Sequence, residues 1–451
     1  MASIEITNWF GDLVSHPQIL VEANSKEDII AILKDPVKYP SPVRAVGSNH
    51  STTPCGVADG GTLVSMGNMN RILSITGDTV TAQAGAHYID IAHELENHGL
   101  QLYVNTEIGS LSVGAAACAG TKDGSMPGEF GQVGSYVTNV KMVLPSGELL
   151  EVTGDQRELM QKVRSSYGLF GIVYEATFRV RPILPMAVYH ETFTLEDFVT
   201  KLPDLWARNE SMMFYTFPFD NLITVEFRKY NPGATGSPAR HVWQLRNFMW
   251  GTAGPLFCHE LETTIASPAV RYKAVDEFNA LWRFKLTHLI KSDYTVATDQ
   301  IIHYPPVSTN SRYTFSLWAF PEERYASVLP AYFKFSRDYY QQKGYRSNML
   351  SVGYRIAKDQ ESLLSYSYDG TVMTVDPVST GNQGWKPFLE AYNEFCSNLG
   401  GSALLNQTYG VTRAYAQKSM GDRLKVFAAA RKQYDPGNRL LNAYFQDLLT
   451  E

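Results

Sequence analysis

The chain is 451 residues long, 44% hydrophobic, with a formal net charge of -6. That length suits two packed domains, each with its own core. The acidic balance disfavours a nucleic-acid partner, for which a basic excess or stripe is expected, and no stretch reaches the roughly 18 apolar residues that a membrane span needs.

Taken from the N-terminus, the first 180 residues read as short strands and helices in alternation. The start, MASIEITNWFGDLV, lacks the basic opening and apolar core of a secretory signal, so a cytoplasmic location is expected. Ser25 followed by Asp28 is a capping box, and Ile29, Ile30, Ile32 and Leu33 give the helix behind it an apolar face. VRAVGS is a short apolar strand running into a glycine turn. TLVSM, ILSIT and TVTAQAG are strand-like runs separated by Gly, Asn and Asp. YIDIAHELENHG is a helix that Gly99 ends, and YVTNVKMVLPSGELLEVTG is a hairpin turning at Pro145-Ser146-Gly147. A proline cluster in ATFRVRPILP closes the region.

From about 185 to 400 aromatic residues become frequent. MMFYTFPF, RNFMWG, RYTFSLWAFP and SYSYDGTVMTV read as strands of a broad antiparallel sheet with helices on one face. FVTKLPDLW and YASVLPAYFKFSRDYYQQKG are the helical candidates, each with a proline that marks a possible break. The last segment, MGDRLKVFAAARKQYDPGNRLLNAYF, is a helix stopped near Asp435-Pro436-Gly437, with an apolar tail. The four cysteines (Cys55, Cys118, Cys258, Cys396) lie far apart without metal-ligand spacing, so reduced thiols and no metal site are expected. The class is α+β.

Three segments carry chemistry. Arg44-Ala-Val-Gly-Ser-Asn-His-Ser51 ends a strand in small residues whose backbone N–H groups suit a pyrophosphate. From Ile108 to Ser125, Gly, Ala and Ser leave almost no side-chain volume, so backbone approaches something closely there: a flat ligand or a tightly packed sheet. Ser165-Ser-Tyr-Gly-Leu-Phe-Gly-Ile-Val feeds a glycine turn into an alternating strand. No G-x-G-x-x-G follows a first strand, which disfavours a nicotinamide enzyme.

Together these segments resemble the FAD-binding domain of the vanillyl-alcohol oxidase and p-cresol methylhydroxylase superfamily. Within it the chain is most similar to the aldonolactone (gulonolactone and arabinonolactone) and alditol oxidases. GGTLVSMGNMNRIL after the His-Ser pair and the ending YDPGNRLLNAYF carry that likeness. The resemblance implies a two-part FAD-binding domain of the vanillyl-alcohol oxidase type plus an antiparallel-sheet cap. Residues 1–182 would bind FAD, 183–404 would form the substrate cap, and 405–451 would return to the FAD domain. FAD would rest on Gly47, Ser48, Asn49, His50 and Ser51, on Gly109, Ser110, Ser112, Val113, Gly114, Ala115, Cys118, Gly120 and Thr121, and on Gly171, Ile172 and Val173. His50 would bond the flavin 8α carbon, whereas Cys118 lacks the surroundings of a second tether. The Asn49-His-Ser triplet also reads as a glycosylation sequon, which a pyrophosphate loop makes unattractive.

The sugar-oxidising relatives carry Glu-x-Arg on a strand over the flavin and a His-Trp-x-Lys motif near the end. Here Gly353 stands in the glutamate position and Arg355 in the arginine position, Leu405-Asn-Gln-Thr-Tyr-Gly410 replaces the second motif, and Thr121-Lys122 replaces a Thr-His. Loss of those polar groups suggests a substrate less polar than a sugar. Arg355 is expected to stabilise an anion, or else to form a strand salt bridge. Tyr409, Tyr304, His303 and His288 are the candidate bases. The expected reaction is removal of a hydride from a C–H bond of a small alcohol- or lactone-like molecule, with molecular oxygen as acceptor. Gly114 and Ala115, small beside the flavin, favour oxygen access. A dehydrogenase using a quinone or another acceptor, and a flavin protein without turnover, are the alternatives.

Overall fold

The computed structural model describes residues 4–305 and 310–450; the second proline of Ile301-Ile-His-Tyr-Pro-Pro306 lies outside them. Near the N-terminus a small parallel sheet forms in the order Ile19–Glu22, Thr62–Ser65, Val43–Val46. The helix Lys26–Lys34 connects two of its strands, and Ser25 and Asp28 close the expected capping box. A second sheet, antiparallel, runs Leu149–Thr153, Val137–Val143, Ile172–Pro182, Thr79–Gln83, Ile72–Thr76. Its hairpin turns at Gly147, whose φ of 86° suits glycine. The helix Tyr88–Asn97 and the short helix Val113–Cys118 pack beside it.

The largest sheet has eight strands, in the order Ser292–Thr295, Met186–Thr194, Leu222–Tyr230, Ser211–Phe217, Ser351–Ile356, Val372–Val375, Trp318–Pro321, Ser402–Ala403, and every pairing is antiparallel. All seven residues of Ser211–Phe217 are buried, a pattern expected when both faces of a strand are covered. Phe214 packs against Phe198 and Tyr325 on one face, while Tyr215 meets Trp250 on the other. The helices Leu195–Ala207 and Tyr325–Lys343 therefore cover one side, and Arg240–Phe248 and Pro268–His288 cover the other. This corrects the expectation of helices on a single face.

Two further corrections concern local structure. RNFMWG is helical: Arg240–Phe248 continues through a π-turned stretch, Met249–Ala253, into Gly254–Thr264. Pro203 and Pro330 sit inside their helices without ending them. No helix among the described residues is long and apolar enough to cross a membrane.

The C-terminal segment packs on the N-terminal layer. Val43 N donates to Arg439 O at 2.9 Å, and the Asn442 side chain donates to the carbonyls of Pro54 and Val57. Phe170 stacks on both Phe427 and Tyr434.

Candidate active site

The strand Val43–Val46 delivers the loop that follows it into a cavity of about 1110 Å³. Arg44, fully buried, fixes the cavity's floor by donating to the carbonyls of Cys55, Tyr167 and Leu440, at 2.7, 2.6 and 3.0 Å. Burial pushes its guanidinium down to about 10. A Cβ at Gly47 would collide with Ser112 Oγ, so only glycine lets the loop and the small-residue segment approach each other. Asn49 adopts φ of 53°, a left-handed turn that fans successive backbone N–H groups. The Ser48 hydroxyl is buried without a hydrogen-bond partner.

His50 lies at one end of this cavity, where its Nε2 is 3.0 Å from Ser110 Oγ and its ring stacks on Trp9 at 5.1 Å. Burial, with His87 nearby, pushes its pKa down to about 4, so the imidazole is neutral. A smaller aromatic cleft adjoins it, walled by Trp9, Phe10, Tyr304, Tyr313 and Phe315.

Most of the proposed flavin contacts line the large cavity: Gly47 to Ser51, Ser112, Gly114, Ala115, Cys118, Thr121, Gly171, Ile172 and Val173. Four do not. Gly109 packs against Ile301 and Ile302; Ser110 acts through His50; Val113 is buried, with its N–H on Ala86 O; and Gly120 lies behind the wall, its carbonyl accepting from Asn406. The small size of Gly114 has a packing cause, because a Cβ there would sit 2.7 Å from that of Ala84. Burial pushes the Cys118 thiol up to about 12, so it stays protonated. Arg44, Leu111, Tyr167, Asn406 and Gln407 also line the cavity and were missed. Of these, Arg44, Leu111 and Tyr167 lay inside segments already singled out. Asn406 and Gln407 come from the far end of the chain and carried no local signal.

The expected catalytic residues fare worse. Along Ser351–Ile356, Val352 and Tyr354 face a chamber beside the flavin cavity, so Gly353 and Arg355 point the other way. Gly353 is covered by the Phe214 ring, and Arg355 Nε donates to Glu322 at 2.8 Å, the strand salt bridge. Tyr409 is turned away from the chamber, with Asp12 and Glu390 as its charged neighbours. His303 is exposed, and His288 lies on the surface at a helix end, stacked on Phe284. Tyr304 is buried at the aromatic cleft and accepts from Tyr313 at 2.6 Å. Burial holds its phenol well above the ordinary range, which suits a neutral donor rather than a base.

The chamber has a volume of about 530 Å³ and shares Ile108, Leu111, Thr121 and Gln407 with the flavin cavity. Its charged groups are Glu107, Lys122 and Asp376. Glu107 is ion-paired to the buried Arg246 and accepts from Tyr354 Oη at 3.2 Å. Lys122 Nζ lies 3.2 Å from Asp376 Oδ2 and 3.4 Å from the centre of the Tyr354 ring. Burial lowers the Lys122 ammonium and raises Asp376 to about 6. The expectation of a pocket stripped of carboxylates and lysine is thereby corrected: different elements supply both. Trp250, carried in by the π-turned stretch, completes one wall.

This cavity fits FAD. A glycine-dependent loop with fanned N–H groups, and Ser48 and Asn406, whose hydroxyl and side-chain amide oxygen are buried without partners, line a long, mostly apolar space. Comparison with known proteins agrees. Residues 17–153 match the family described as FAD binding domain, and residues 176–448, more than half the chain, match D-arabinono-1,4-lactone oxidase. L-gulono-1,4-lactone dehydrogenase of Mycobacterium tuberculosis is 22% identical over 450 residues, 98% of each chain. L-gulonolactone oxidase of Bos taurus is 23% identical over 53% of this chain and 54% of its own length. Among solved structures, a histidine variant of cholesterol oxidase from Brevibacterium sterolicum superposes with a TM-score of 0.77 at 16% identity, covering 99% and 97% of the two chains.

Proposed function

The chain belongs to the D-arabinono-1,4-lactone oxidase family of FAD-dependent oxidoreductases, and on that basis we propose that it oxidises a small, neutral, hydroxylated lactone- or alcohol-like substrate with molecular oxygen as final acceptor. The observation that carries this reading is the polar chamber adjoining the flavin cavity. Its charges cancel in pairs, Glu107 with Arg246 and Lys122 with Asp376, so a neutral molecule enters without leaving a charge unpaired.

Bound FAD supplies the two-electron acceptor for the C–H bond. The backbone of Gly47–Ser51 and of the turn before Val113 would hold its pyrophosphate. In the chamber Tyr354 and Glu107 orient substrate hydroxyls, while Trp250, Tyr313 and Phe315 exclude water. We further propose that His50 bonds the flavin covalently. Its neutral ring, held by Ser110 and Trp9, leaves a nitrogen lone pair free for that bond.

The test is anaerobic titration of the yellow holoenzyme with lactones, alditols and simple alcohols, followed by admission of air. Bleaching by a lactone or alcohol and stoichiometric peroxide support the reading. Failure of the whole panel to bleach the flavin sinks it. Reoxidation by quinones or dyes but not by air would instead make the enzyme a dehydrogenase, as the Mycobacterium tuberculosis relative is named.

A further inference from the structure

We propose that Asp376, oriented by Lys122, is the proton acceptor for the substrate hydroxyl; the inference rests on the oxidation reading above. The geometry is specific. Asp376 directly follows the strand Val372–Val375 and is bridged to Val352, with its side chain 2% exposed. Its Oδ2 takes the ammonium of Lys122, the Thr374 side chain is a further polar neighbour of the carboxylate, and no hydrogen bond closes the buried Oδ1. A carboxylate oxygen left unsatisfied in a chamber wall is costly unless a ligand donor completes it. A substrate O–H is such a donor.

The other chamber groups are poor acceptors. Glu107 has one oxygen on Arg246 and the other on Tyr354 Oη, so a permanent cation and a phenol already balance its charge. The Tyr354 phenol is held neutral by burial and already donates. Gln407 has no basic site. Asp376 is an anion near neutral pH because Lys122 faces it, yet burial keeps it basic enough to take a proton at small cost. The titratable groups packed around it are Lys122 and Tyr354 in the chamber, and Tyr325, Tyr332, Tyr366, Tyr392 and Cys396 behind it. The phenols and the thiol are all shifted upward, away from neutrality, whereas Asp376 is raised to about 6.

The step balances. The substrate O–H bond breaks and its proton goes to Asp376 Oδ1. The C–H bond breaks with its electron pair, which leaves as hydride to oxidised FAD. The electron pair left on oxygen closes the C=O bond, and the carboxyl proton returns to water after product leaves. Asp376 is then a catalytic residue and Lys122 a positioning residue.

Three measurements test this on the holoenzyme. Infrared difference spectra between pH 5 and pH 8 should show a buried carboxylic-acid C=O band that titrates near pH 6 in the wild type and is missing in D376N. Anaerobic flavin reduction by a bleaching substrate should fall at least about 100-fold in D376N, with loss of the acid limb of its pH profile. K122M should move that limb to higher pH, because removing the cation raises the carboxyl pKa. No titrating band in the wild type, near-normal reduction by folded, yellow D376N, or an unmoved limb in K122M would each overturn the proposal. If D376N does not fold, the wild-type band and the K122M shift still decide. If no compound bleaches the flavin, the functional reading fails, and the infrared titration alone decides whether Asp376 carries the proton.

Discussion

Replacing Arg246 by methionine probes the charge balance of the chamber. Arg246 has no exposed surface and is the cation paired to Glu107, which otherwise has the phenol of Tyr354. Glu226, also near Arg246 at 3.8 Å, keeps Arg228 at 2.6 Å and His190 at 3.0 Å. The substitution therefore strands mainly Glu107, and removing one member of a buried pair costs about 3–5 kcal/mol. For a chain of this size the unfolding entropy is about 0.9 kcal/mol per kelvin, so the melting temperature should fall by about 3–5 °C. Differential scanning calorimetry of FAD-saturated protein at one scan rate reads this directly. The double variant E107Q/R246M, which removes both charges, should recover more than half of the loss. A double variant no more stable than R246M, or an R246M melting temperature within about 1 °C of wild type, would refute the pairing argument.

G47V should yield colourless protein that does not take up added FAD, because the new side chain meets Ser112; a yellow G47V would exclude a close approach at that turn. Acid precipitation of wild-type protein should leave the flavin on the pellet, and H50A should release it to the supernatant while holding it when folded. Wild-type flavin in the supernatant would reject the tether. In the apoprotein the depressed His50 pKa contributes stability that is complete above pH 6.5 and is lost as pH falls through about 4. Apo H50A should therefore lose less melting temperature than wild type across that interval, and an equal loss would argue against a buried neutral ring. A hydrolysed lactone, now an anion, should reduce the flavin at least about 100-fold more slowly than the closed lactone, since no free cation awaits it; equal rates would mean that Lys122 leaves Asp376 to bind the carboxylate.

Local features were legible in the sequence. The capping box at Ser25, the hairpin at Gly147 and the helix ended by Gly99 depend on residues a few positions apart. The cavity-lining loop was legible for the same reason, since Gly47 to Ser51 is contiguous. The chamber was not. Glu107 meets a partner 139 residues away and Lys122 one 254 residues away, separations that no spacing rule reports. That Arg355 forms the strand salt bridge and not the anion site has a sharper cause. Successive strand residues face opposite sides, so a placement off by one exchanges Arg355 for Tyr354. The aromatic run around Trp250 was read as strand by composition. Its buried positions Val242, Trp243, Arg246, Met249 and Trp250 instead recur at helical spacing, the better signal.

The charged residues of the segment 107–123 follow one rule. Glu107, Lys122 and Asp123 all lie on the flavin side of the molecule, and each pairs with a residue of the large-sheet half: Arg246, Asp376 and Arg228. Arg228 and Arg246 then converge on Glu226, at 2.6 and 3.8 Å, which also holds His190 at 3.0 Å. Glu107, Lys122 and Asp123 are buried and take their counter-ions from the other half, so a shifted docking leaves several of them stranded at once. The same contacts that fix the docking therefore build the chamber. This accounts for a polar, charge-balanced chamber in a chain without the Glu-x-Arg and His-Trp-x-Lys patterns. Polar groups aimed at a substrate need not come from one strand or motif, provided that every charge arrives with its counter-ion. Lys122 and Asp376 meet that condition while leaving one carboxylate oxygen unused.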